Sequence, residues 1–313
     1  MHAAAQLDDQ TRAFVAEIEA AGAPPIATMS PSDARALQRT FVPQLAGALE
    51  AVAQLSDRDI PGPAGPIPIR VYTPDARPLG VLVFLHGGGW TIGSIDTADA
   101  ACRALSRRTP CTVVSVGYRL APEHRFPAAF EDAAAAARWA VANADALGRD
   151  ATRVAIGGDS AGGTLTAAVT LDARDRGGPS LCFQLLVYPV TDCDFNRPTY
   201  HEYGKGYLLS VDEMRWYWQN YLRSPQDEAN PSACPLRAVS LRGLPPALVL
   251  LAECDPIRGE AEAYAARLRV DAVPVSVIRY PGTIHGFFTM PGVMDRAKVA
   301  YDDAACALRD AFA

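Results

Sequence analysis

The sequence predicts an α/β fold: one eight-stranded, mostly parallel sheet flanked by helices, with a helical cap. Three observations carry that expectation. Short apolar runs recur along the chain, helical patterns stand between them, and the stretch after the sixth run is far longer than a crossover needs. Runs apolar on every side imply strands buried on both faces, and intervening helices imply parallel crossovers. At 313 residues, 49% hydrophobic and 20% charged, the chain can bury roughly 75% of its unfolded surface as a single domain spanning 1–313.

The elements follow in order. Asp9–Ala21 carries Phe14, Val15 and Ile18 at helical spacing. Ser30-Pro31-Ser32-Asp33 offers an N-cap, a first-turn proline and an acid three residues after the cap, with Leu37 and Phe41 following four apart. Residues 51–60 and 66–74 read as a hairpin around Pro61-Gly62-Pro63, with Ile67, Ile69 and Val71 alternating. Six further strand-length runs lie at 81–85, 112–116, 154–156, 183–188, 247–251 and 275–280. Helical patterns at 97–108, 127–147, 162–176 and 260–269 separate them, and one at 296–312 closes the chain.

The long stretch after Tyr188 holds Tyr200, Tyr203, Tyr207, Tyr217, Tyr221, Trp216 and Trp218. Within it, Ser210-Val211-Asp212-Glu213 is a capping box that opens a helix through Met214 and Leu222. Such an insertion at the binding edge of a parallel sheet reads as a lid, with the N-terminal helices as its second part. The cap is therefore expected over 1–48 and 196–237.

Composition excludes several classes. The net charge is −6 and no Lys/Arg block stands out, which argues against nucleic-acid binding. The longest apolar stretches, at 81–85 and 245–252, are far short of the roughly 20 residues of a membrane span. The N-terminus lacks a basic segment followed by an apolar core, so a cytoplasmic location is expected. Seven scattered cysteines with no C-x-x-C pair predict reduced thiols, and support neither a zinc site nor a thioredoxin-like redox motif.

The chemistry sits on a few motifs. Gly158-Asp159-Ser160-Ala161-Gly162 follows a strand and precedes a helix, the context that presents a serine nucleophile at a sheet tip. The glycines flanking Ser160 avoid clashes in so sharp a turn. His86-Gly87-Gly88-Gly89-Trp90 leaves another strand end, and its consecutive glycines expose backbone N–H groups to an oxyanion together with that of Ala161. Neither segment fits G-x-G-x-x-G or a phosphate-binding loop. Of the five histidines, His2, His86, His124 and His201 lie in the terminus, in loops or in the insertion, while His285 follows the last strand between loop glycines. His285 is the expected base. Asp255 directly follows the preceding strand and is preferred as the orienting acid over Asp192 and Asp194. Trp90, Met214, Trp216 and Trp218 are the expected pocket walls.

These motifs resemble the hormone-sensitive-lipase-like esterases of the α/β-hydrolase superfamily, in the branch with GDSAG around the serine. The resemblance rests on His86–Trp90, Gly158–Gly163, Asp255-Pro256-Ile257-Arg258 and His285-Gly286-Phe287, supported by 118–124 and 126–129. It covers about 81–288, with Ile257 and Gly259 departing from the usual residues outside the triad. The resemblance implies a triad of Ser160, Asp255 and His285, and an oxyanion hole of Gly88, Gly89 and Ala161. It also implies a cap from the N-terminus and the insertion, a homodimer, and hydrolysis of small carboxylic esters without metal or cofactor. Short- to medium-chain esters are the expected substrates. An amidase or lactonase with the same triad, or a non-catalytic small-molecule receptor on the same scaffold, are the alternatives.

Overall fold

The computed structural model describes residues 6–149 and 151–313. His2 and the other first residues of the expected cap lie outside the described residues. Eight strands form one sheet: β1 (Gln54–Gly62), β2 (Gly65–Thr73), β3 (Val81–Leu85), β4 (Thr112–Val116), β5 (Val154–Asp159), β6 (Gln184–Val187), β7 (Ala247–Cys254) and β8 (Val275–Ile284). Their spatial order is β1-β2-β4-β3-β5-β6-β7-β8. β1 and β2 pair antiparallel, β2 meets β4 antiparallel, and every pairing from β4 to β8 is parallel. The hairpin differs in detail from the sequence reading. Gly62 pairs with Gly65, so the strand runs on through Pro61 and the turn is Pro63-Ala64. Pro61 sits on the edge strand, where a missing ladder donor costs little.

Nine α-helices are present among the described residues: α1 (Asp9–Ala21), α2 (Pro31–Leu45), α3 (Asp99–Arg108), α4 (Ala128–Ala142), α5 (Ala161–Arg176), α6 (Pro198–Tyr203), α7 (Val211–Tyr221), α8 (Arg258–Val270) and α9 (Asp295–Ala311). The alternation of side chains along each strand decides which helices they meet. In β3, Val81, Val83 and Leu85 join the core under α4 and α5, while Leu82 and Phe84 join the core under α3 and α9. A strand buried on both faces needs apolar residues at every position, and all five residues of β3 are buried.

The residues before β1 and those between β6 and β7 cross the C-terminal edge of the sheet. Asp8 caps α1 and Ser30 caps α2, each side chain accepting from the N–H three residues on. α1 is pinned by the Asp8 N–H to the Gly282 carbonyl, at 3.1 Å. α2 is held by Arg35, which donates to the carbonyls of Thr91 and Ala121 at 2.7 Å each and pairs with Glu123 at 2.6 Å. The capping box of α7 forms as expected: Ser210 accepts from the Glu213 N–H, and Glu213 accepts from the Ser210 N–H. The short helix α6 was not legible in the sequence. Among the described residues, no helix is long and apolar enough to cross a membrane.

Candidate active site

β5 ends in Asp159 and α5 begins at Ala161, so Ser160 is the whole of the turn between them. Its backbone is forced to φ 53° and ψ −119°, a conformation that L-residues adopt only under constraint. Close approach to β3 explains the flanking glycines. A Cβ on Gly162 would lie 1.9 Å from the Leu85 carbonyl oxygen, and one on Gly158 would lie 2.4 Å from the same atom. Ser160 is thereby presented at the head of α5, where the first N–H groups have no intrahelical acceptor.

The last two strands deliver its partners. β8 leads into His285, and β7 leads into Asp255 just ahead of α8. His285 Nε2 lies 2.9 Å from Ser160 Oγ, and His285 Nδ1 lies 2.8 Å from Asp255 Oδ2. Asp255 is fully buried, and its other oxygen accepts the Ile257 N–H at 3.0 Å. The structure thus brings Ser160, His285 and Asp255 into one hydrogen-bonded chain. The rival groups are committed elsewhere. Asp192 is clamped by Arg197 and Arg237 at 2.8 Å each, and Asp194 accepts from the Asn196 N–H. His86 is buried and stacked on Tyr118 at 4.2 Å, and burial pushes its imidazole down to about 4, so it is neutral near pH 7. His124 and His201 are exposed.

The loop after β3 faces the serine. Gly88 and Gly89 adopt φ +112° and +55°. A Cβ on Gly89 would lie 2.1 Å from the Tyr217 ring, and one on Gly88 would lie 2.3 Å from the Ile92 carbonyl oxygen. The Gly88 carbonyl accepts from the Thr91 and Ile92 N–H groups at 3.1 and 2.9 Å. Beneath the loop, Asp159 Oδ1 accepts the Gly87 N–H at 2.9 Å, tying the glycine loop to the residue before the serine. Burial raises the Asp159 carboxyl from 3.8 to about 6, against the opposing effects of the Gly87 hydrogen bond and the His285 charge. Sequence reasoning passed over this link, because an acid beside a nucleophile carries no signature of a contact 72 residues away.

A cavity of about 220 Å³ opens over Ser160 and His285. Leu37, Phe41, Val42 and Leu45 of α2 wall one part, and Met214 and Tyr217 of α7 wall another. Of the four residues expected as pocket walls, Trp90 and Met214 line this cavity, and Trp216 and Trp218 are not among its lining residues. Helical phase turns Trp216 away, and position along the helix removes Trp218. Trp218 lies one turn beyond Met214 and packs behind Trp90, ring centroids 4.6 Å apart, whereas Trp216 turns edge-on to Tyr217 and stays half-buried. Glu213 also lines the cavity, and burial raises its carboxyl above the ordinary value.

The chain is similar to known proteins over most of its length. Residues 82–289 match a family described as the alpha/beta hydrolase fold. The carboxylic ester hydrolase LipN of Mycobacterium tuberculosis is 48% identical over 246 residues, covering 75% of this chain and 65% of that protein. An ethyl acetate hydrolase of Pseudomonas putida is 40% identical over 238 residues, covering 74% of each chain. Among solved structures, an ester-hydrolase from the metagenome of Lake Arreo, complexed with a derivative of bipyridine phosphonate, superposes with a TM-score of 0.95. It is 38% identical and is matched over 98% of this chain and 99% of that one.

Proposed function

The chain belongs to the hormone-sensitive-lipase-like carboxylic ester hydrolases of the α/β-hydrolase fold, and from that premise we propose a serine carboxylesterase for short- to medium-chain esters, working through an acyl-enzyme. One observation carries the reading: Ser160 and His285 line an apolar cavity and are joined in one hydrogen-bonded chain with the buried Asp255.

In this mechanism Ser160 Oγ attacks the ester carbonyl carbon while His285 Nε2 accepts its proton. Asp255 accepts from the opposite ring nitrogen, which holds the imidazole in the required tautomer and stabilises the imidazolium that forms. The N–H groups of Gly88, Gly89 and Ala161 receive the charge that develops on the carbonyl oxygen. The leaving alcohol takes its proton from His285, and a water activated by the same nitrogen then hydrolyses the acyl-serine. The segments of the expected cap, through α2 and α7, close over the reacting centre and set the size of the ester accepted.

An activated ester with a chromogenic alcohol tests the proposal. One equivalent of alcohol per protein should appear in a burst, and an organophosphate should label Ser160 alone and stop turnover. Labelling at another serine, or turnover that persists after labelling, would overturn the assignment.

A further inference from the structure

The insertion between β6 and β7 leaves the sheet and returns to it through a narrow neck. On the outgoing side stand Thr191, Asp192 and Cys193; on the returning side stand Cys234, Leu236 and Arg237. Two kinds of rung already join the sides. The Leu236 N–H donates to the Thr191 carbonyl at 2.9 Å, and Arg237 Nε donates to Asp192 Oδ1 at 2.8 Å. A third contact is different in kind, since the Cys234 thiol donates to Cys193 Sγ with the two sulfurs 3.8 Å apart. Cys234 is fully buried, Cys193 is partly exposed, and Arg237 Nη2 stands 3.1 Å from Cys193 Sγ.

We propose that Cys193 and Cys234 form a reversible thiol–disulfide pair that staples the neck of the insertion when the protein meets a peroxide. The arrangement divides the labour. Cys193 is the sulfur a peroxide reaches, being partly exposed where Cys234 is buried, and Arg237 Nη2 stands against it as a hydrogen-bond donor. The thiolate attacks one peroxide oxygen, the O–O bond breaks, and the products are a sulfenic acid at Cys193 and hydroxide, which takes up a proton as water. The Cys234 sulfur then attacks the sulfenic sulfur, forming the S–S bond and expelling a second water with the Cys234 proton. Two thiols have lost two electrons to one peroxide. A dithiol reductant reverses the step by exchange. An S–S bond of about 2.05 Å needs the sulfurs to close by under about 2 Å.

The same three-residue cluster with Asp192 resembles a metal site by distance alone. Its electrostatics favour oxidation instead, because Arg197 and Arg237 each hold one of the two Asp192 oxygens. The staple closes a loop of 40 intervening residues, and closing a loop of that length restricts the unfolded insertion. The insertion carries α7, so oxidation stiffens one wall of the cavity and leaves the reacting groups untouched.

Treatment of the whole protein with stoichiometric hydrogen peroxide tests this, with intact mass and peptide mapping that separates Cys193 from Cys182. The expected product is 2 Da lighter and links Cys193 to Cys234. Its half-life of thermal inactivation should be several-fold longer, a gain erased by dithiothreitol and absent from Cys193→Ser and from Cys234→Ser. Initial rates on an activated ester should stay within about twofold of the reduced protein. Linkage through Cys306 or Cys182 with Cys193 left open to alkylation would overturn the proposal, as would a linked form with no gain in half-life. Zinc bound at one equivalent, lost in both serine variants and protecting both thiols from peroxide, would replace it with a metal site.

Discussion

Ser160 shows how one residue can carry strain that its neighbours enforce. Its positive φ persists because β5, α5 and the Leu85 carbonyl leave no other path, and replacing its side chain changes none of that. Ser160→Ala should therefore lose turnover while its unfolding midpoint stays within a degree or two of the native protein. Retained esterase activity would remove Ser160 as nucleophile. Asp255→Asn should lower kcat by about 10⁴, the loss known for the equivalent change in the serine-protease triad. Asp192→Asn, which loosens the clamp on Arg197 and Arg237, should cost stability and little turnover; the reverse ranking would move the acid to the end of β6. Asp159 makes a pH prediction. Its folded value near 6 exceeds the unfolded 3.8, so the native state holds this proton longer. The stability it supplies is complete below about pH 4 and is lost as pH rises through 6. Asp159→Asn keeps an oxygen for the Gly87 N–H and has no proton to lose. Its stability relative to the native protein should rise by about 3 kcal/mol between pH 4 and 7 and then level off. Denaturant unfolding at pH 4.5, 6 and 8 measures this, and a pH-independent difference would contradict it.

At the scale of elements, α2 and the glycine loop behave as one unit. Arg35 reaches from α2 to the Thr91 and Ala121 carbonyls, which flank the loop carrying Gly88 and Gly89. Arg35→Ala should raise KM more than it lowers kcat, since it frees a wall and leaves Ser160 and His285 in place; a pure kcat loss would mean that the loop itself has collapsed. Gly89→Val should be far more damaging, because its first side-chain carbon would occupy the Tyr217 ring. A displaced donor costs about 10²–10³ in rate, and near-normal kcat would mean that Gly89 serves only the turn. The elements also show what was legible in the sequence. Strands buried on both faces announced themselves by their unbroken runs: every position of β3 is apolar, and β4 carries three valines and two small hydroxyl side chains. The positions of Ser160, Asp255 and His285 were legible because each lies just past a strand that could be read, and the structure carries β5 and β8 on to Asp159 and Ile284. The hairpin turn was misplaced by two residues because proline on an edge strand looks like punctuation. The aromatic content of α7 pointed to a covering helix, but which ring lines the cavity depends on what each one packs against along the helix. Met214 and Tyr217 face it while Trp218 backs onto Trp90.

For the whole molecule, the question is what size of ester the cavity over Ser160 can take. The cavity of about 220 Å³ falls below the roughly 300–1,000 Å³ of most small-molecule sites. Its walls include α2 and α7, which lie far apart in sequence and both line the space over Ser160. Each acyl methylene buried there adds about 0.8 kcal/mol, which is about a fourfold gain in kcat/KM if it is held in the transition state. That gain must end when the walls are reached, because a close-packed protein interior yields little to overpacking. Activity should thus climb from acetyl to a medium chain, fall beyond it, and show no activation at an oil–water interface. Phe41→Ala removes a ring from the α2 wall and should move the optimum to longer acyl chains, whereas Trp216→Ala, outside the cavity, should leave the profile where it is. A series of esters with one alcohol and increasing acyl length, assayed on the three proteins, measures both shifts. If emulsified long-chain triglycerides prove the best substrates, or if Phe41→Ala and Trp216→Ala give the same profile, α2 does not bound the acyl chain.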